Sequence, residues 1–253
     1  MQRFTSADGL TIAYHEWGPT EGRPLILQHG FTHGAIDGWQ ERGVVGRLVA
    51  AGRRVVGIDA RGHGDSDKPH DPGAYGEDKM ARDLRTLIDV LAVPEIDLVG
   101  YSMGAVISLI AATVDDRIRR LVIGGVGAAV VELGGVDTRA VPNTALAEAL
   151  RAEDPASVTR PDIAAFRERA DAVGADRLAL AARADAAYQQ PIPLDRITAP
   201  PLLVTGADDP LAQRPQVLVD AIPDARWVVL PGDHLSVLAD PRFSELILAF
   251  LDD

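Results

Sequence analysis

From about position 24 to 126, and again from about 200 to 253, short β-branched apolar runs take turns with helix-forming stretches. "PLILQHG" stops at a glycine, "RRVVGIDARGHGDSDKP" opens into a Gly/Asp-rich loop, and "EIDLVGYS", "RIRRLVIGGVG", "PPLLVTGADD" and "ARWVVLPGDH" repeat the pattern. Among them, "EDKMARDLRTLIDVLA" sets Met80, Leu84, Leu87, Ile88 and Leu91 along one helical stripe. Such alternation predicts an α/β fold, a mostly parallel sheet with helices on both faces. "RFTSADGLTIAYHEWG" reads as an antiparallel hairpin turning at Asp8-Gly9. Positions 36–51 read as one helix ending at Gly52, and "PRFSELILAFLDD" as a closing helix with Pro241 near its start.

The strand signal vanishes between positions 127 and 197, a segment rich in alanine and arginine that is too long for a plain loop. "TALAEALRAED" and "DIAAFRERADAV" read there as short helices. The expected organisation is therefore a core from 1–126 and 198–253, with 127–197 a small helical insertion over one end of the sheet. A net charge of −12 argues against a nucleic-acid or anionic-membrane surface. No cysteine is present, which excludes disulfides, thiolate metal sites and a cysteine nucleophile. "MQRFTSADGLTIAYHEWG" lacks the basic and apolar regions of a signal peptide, and no run is long enough to span a bilayer, so a cytoplasmic location is expected.

In parallel sheets of this kind ligands bind at the carboxyl ends of the strands. Ser102 lies there, in Gly-x-Ser-x-Gly, with the strand "IDLVG" before it and a helix after it. That context is the one a nucleophile elbow requires: the turn is tight enough to need Gly100 and Gly104, and it forces the hydroxyl into the open. A serine hydroxyl needs a base to take its proton. His234 follows the last strand and can reach Ser102 from above; the other five histidines occur earlier. The base needs a carboxylate to hold its tautomer, and the preceding strand ends in Asp208 and Asp209, either of which could serve. An oxyanion needs two donors, for which the amides of Met103 and Phe31 are placed. His29 reads as a structural histidine bonded to backbone. The His29/His33 spacing carries no third ligand, so no metal site is expected.

The chain resembles the α/β-hydrolase superfamily over essentially its whole length, through "HGF" at 29–31, "DARGHGDSDKP" at 59–69, "GYSMG" at 100–104, "GADDP" at 206–210 and "GDH" at 232–234. The resemblance implies an eight-stranded sheet with a lid at about 127–197, and a triad acid three residues after Gly206, which is Asp209. It implies a structural rather than catalytic role for "RGHGDSDKP". It further implies a cofactor-free serine hydrolase acting on a small ester, lactone or thioester, with Ser102 as nucleophile and His234 as base. His33, Trp39, Phe166 and Tyr188 are the expected pocket residues. Carbon–carbon hydrolases, perhydrolases, lyases and non-hydrolytic binding proteins share these motifs. A serine at position 102 argues against the relatives that attack with an aspartate.

Overall fold

The computed structural model describes residues 1–253. Its centre is one eight-stranded sheet: β1 (Gln2–Thr5), β2 (Thr11–Trp17), β3 (Pro24–Gln28), β4 (Arg54–Ile58), β5 (Ile96–Tyr101), β6 (Ile118–Gly124), β7 (Pro201–Gly206) and β8 (Arg226–Leu230). The spatial order is β1-β2-β4-β3-β5-β6-β7-β8, with β1 and β2 antiparallel to their neighbours and the rest parallel. The expected hairpin is the β1–β2 pair, and Gly9 takes the positive φ its turn requires.

Ten helices complete the chain: α1 (Val44–Ala50), α2 (Glu77–Leu91), α3 (Met103–Ala112), α4 (Ala129–Leu133), α5 (Asn143–Arg151), α6 (Pro161–Ala172), α7 (Arg177–Asp185), α8 (Pro215–Asp220), α9 (Ser236–Ala239) and α10 (Pro241–Asp252). The central strands are buried throughout because both faces are covered. Their two-residue period divides them: Ile26 and Leu98 join the core under α2 and α3, while Leu25, Leu27 and Val99 join the one under α1 and α10. In α10, Phe243, Ile247, Phe250 and Leu251 fall on one buried stripe, the spacing that fixes its docking face.

The reading of 36–51 as one helix needs correction. A π-helical turn spans Ile36–Gln40, and α1 starts afresh at Val44. The break is Gly43, whose φ of 78° has no place in a right-handed helix. Between β6 and β7 the chain builds α4 to α7, of which α5 and α6 match the helices read from composition. Leu146, Leu150, Ile163 and Leu180 form a small apolar core of their own there. Arg183 of α7 is ion-paired with Glu77 of α2, and both are buried. The second oxygen of Glu77 accepts from the Tyr188 amide at 2.7 Å. No helix is long and apolar enough to cross a membrane.

Candidate active site

Ser102 ends β5 and caps α3 with φ 55° and ψ −118°, a backbone conformation that side chains rarely adopt. The strain persists because its surroundings are glycine-sized. A Cβ on Gly104 would stand 2.1 Å from the Gln28 carbonyl oxygen, and one on Gly100 would stand 2.3 Å from that of Gly104. These contacts are with backbone, which cannot step aside. Gly104→Ala is therefore expected to cost about 3 kcal/mol or more. Gly46→Ala, with nothing within 4 Å of the added methyl, is expected to be neutral or mildly stabilising. Urea midpoints for the two variants check this; equal midpoints would show that the close approach at Gly104 is not what holds the turn.

His234 lies beyond β8, and its Nδ1 is 2.8 Å from Asp209 Oδ2. Asp209 is 1% exposed, and its other oxygen accepts the Leu211 amide at 2.9 Å, so the carboxylate is held on both sides. Asp208 points to solvent. The backbone path after β7 thus turns Asp209, and not Asp208, towards His234. The ring of His234 is seated by two groups that sequence reasoning did not single out. Tyr101 donates its hydroxyl to the His234 carbonyl at 2.8 Å, with the two rings 5.3 Å apart. A Cβ on Gly125 would fall 2.8 Å from His234 Cε1. Tyr101 directly precedes Ser102, and Gly125 directly follows the last residue of β6.

Ser102 and His234 wall the same cavity, of about 250 Å³, at the carboxyl edge of the sheet. No hydrogen bond joins the hydroxyl to the ring in this conformation. The β3 loop closes on Ser102 from the other side: a Cβ on Gly30 would be 3.4 Å from Ser102 Cβ, which brings the next residue, Phe31, to the cavity wall. Met103 opens α3, whose first amides have no partner within the helix. Phe31, His33, Trp39 and Phe166 all line the cavity. His33 Nδ1 donates to Asp37 at 2.6 Å, and Trp39 stacks on Phe243. Tyr188 does not reach the cavity. Its amide is committed to Glu77 and its carbonyl packs against Gly135, which ties it to the α2 side.

The ring of Phe31 is itself held. Arg183 lies 5.1 Å over it, and His63 meets it edge-on at 6.0 Å. His29 is 5.0 Å from His63, donates from Nδ1 to the Gly30 carbonyl and accepts the Ala60 amide at Nε2. Both of its nitrogens are taken by backbone, as read from sequence. The "DARGHGDSDKP" loop is held by bonds of the same kind. Asp59 accepts from the Ala35 and Asp65 amides and from His15; burial works against its charge, but these bonds bring its pKa down to about 2.

Burial lowers the pKa of His63 to about 3. The unfolded imidazole takes a proton below about 6.5, whereas the folded one stays neutral until far lower pH. The unfolded state binds more protons in that window, so stability falls as the pH drops through it, by about 1.4 kcal/mol per pH unit from this residue. Urea unfolding at pH 7 and pH 5 should show a loss in the wild type that is smaller by about 2 kcal/mol in His63→Asn. An equal loss in both proteins would mean that His63 is not the group responsible.

A family model described as alpha/beta hydrolase fold matches residues 23–167. A non-heme chloroperoxidase from Streptomyces lividans is 35% identical over 107 residues, 41% of this chain and 36% of that one. The chain thus spans about a third of the length of the chloroperoxidase relatives it matches. A dihydrolipoyllysine-residue acetyltransferase component of the acetoin cleaving system from Pseudomonas putida is 30% identical over 260 residues, 96% of this chain and 67% of that one. Among solved structures, a hydrolase from Pseudomonas aeruginosa superposes with a TM-score of 0.81 at 27% identity, covering 100% of this chain and 98% of that one.

Proposed function

Because this chain belongs to the alpha/beta hydrolase family, whose model it matches over more than half its length, we propose that it is a serine hydrolase of carboxylic esters, lactones or thioesters acting through an acyl-enzyme. The observation behind this reading is that a strained Ser102 shares one cavity with a histidine whose Nδ1 is bonded to the buried Asp209. His234 Nε2 takes the proton of Ser102 as its oxygen attacks the acyl carbon, and Asp209 steadies the imidazolium. The carbonyl oxygen becomes an oxyanion held by the amides of Phe31 and Met103. His234 then protonates the departing oxygen or sulfur as its bond to carbon breaks, leaving the acyl group on Ser102. Water, activated by the same imidazole, releases the acid and restores the serine. On this reading residues 127–197 are the lid, supplying Phe166 to the substrate.

Intact-mass spectrometry after exposure to a fluorophosphonate tests the proposal. One adduct, mapped to Ser102 and much slower in His234→Ala, is expected, together with turnover of p-nitrophenyl esters. A folded protein that takes no adduct and turns over no ester, lactone or thioester would overturn it in favour of a binding role.

A further inference from the structure

Most arginines in this acidic chain have a carboxylate beside them, as Arg61 has Asp8 and Asp83, Arg139 has Asp137 and Arg183 has Glu77. Arg169, on the cavity wall, and Arg42 are among those that do not. Arg169, on the face of α6 that borders the cavity, forms no ion pair and no side-chain hydrogen bond. Arg42, half-buried just before α1, has no acid partner either, and its Nε is buried without any hydrogen bond. The two are close enough that the charge of Arg169, after burial itself, makes Arg42 harder to protonate. Like charges held together at a partly desolvated edge are unfavourable unless an anion joins them. Of the acids by the cavity, Asp162, on its wall, is paired with Arg160, and Asp37, whose charge also acts on Arg42, is bonded by His33 and the Gly34 amide. The remainder of the wall is largely apolar, with Phe166, Leu211 and Leu238 among its residues.

We propose that the substrate carries a free carboxylate in addition to the bond that is cleaved, and that Arg169, backed by Arg42, binds it at the α6 edge of the cavity. This rests on the serine-hydrolase reading of the same cavity. Apolar walls then hold the carbon chain between the anion and the reacting carbonyl. Arg169 acts as a specificity residue, at a distance from the reacting atoms. Its guanidinium offers the planar pair of donors that a carboxylate accepts.

The test compares the p-nitrophenyl monoesters of succinic, glutaric and adipic acids with the same compounds capped as methyl esters, so that charge is the main difference. At low ionic strength the best free acid should exceed its capped partner in kcat/KM by about tenfold or more, the size expected for hydrogen bonds to a charged group. The preference should lie mainly in KM and shrink with added salt. Arg169→Gln should abolish it, Arg42→Gln should weaken it, and Arg169→Lys should keep part of it. Equal turnover of acid and capped ester, or a preference that survives Arg169→Gln, would overturn the proposal. Turnover of neutral esters with no acid preference would sink only this inference. If no ester is turned over and Ser102 takes no adduct, the hydrolase reading has failed. Calorimetric binding of glutarate, lost in Arg169→Gln, then still decides whether the arginine site exists; no binding to the wild type would overturn it.

Discussion

Ser102→Ala should lower kcat/KM for any ester the protein hydrolyses by about 10⁴-fold or more, while leaving the folded state intact. The substitution removes one oxygen from a residue that is buried, and alanine tolerates the same turn about as well as serine. The glycines at 100 and 104 set that turn, and both remain. The cavity keeps its shape and its two amide donors, so residual catalysis and ground-state binding should survive. KM should therefore change little beside kcat. Steady-state kinetics, alongside circular dichroism and the urea midpoint, separate loss of chemistry from loss of fold. A folded variant with most of its activity would show that Ser102 is not the nucleophile and that the strained turn serves some other purpose.

Asp209→Asn should reduce kcat by about 10⁴-fold, and Asp208→Asn should change it by less than about threefold. The asparagine is nearly isosteric, but it presents an amide where the Nδ1–H of His234 needs an anion. The ring is then free to hold its proton on the wrong nitrogen, and no negative charge meets the imidazolium that forms. Asp208 has no contact with the ring, since Asp209 alone is turned inward after β7. Parallel pH–rate profiles of the two variants would check the contrast. Similar losses in both, or a larger loss in Asp208→Asn, would remove Asp209 from the role.

These two residues also show what a sequence can and cannot say. The elbow was legible because everything that makes it is local: an apolar strand, two glycines four residues apart and a helix-forming run. The succession of strands and helices along the chain, α5 and α6 included, follows from periodicities equally short in range, whereas the order of strands in the sheet does not. Asp208 and Asp209 are chemically identical neighbours, and only the direction of the chain after β7 distinguishes them. Tyr101 meets the His234 carbonyl across 133 residues, and Glu77 meets Arg183 across 106. Pairings at such separation leave no periodic trace. Tyr188, large and in the insertion, reads as a pocket residue, but it is not on the cavity wall, and its backbone is bonded to Glu77. The break at Gly43 does leave a local trace, since glycine inside a helical stretch is a recognised interruption.

The ion pair beneath Phe31 has a bearing on how substrate gets in. Glu77 belongs to the body of the protein, yet α7 and the segment after it take up both of its oxygens. Raising α7 would part this buried pair and strip Glu77 of both its partners, at about 3–5 kcal/mol. Such a form would be present in fewer than about one molecule in a hundred. On the hydrolase reading, entry past α6, which bears Phe166 and Arg169 and has no comparable tie to the sheet, would cost less than entry past α7. The helix that grips the substrate would then be the same one that has to yield for its admission.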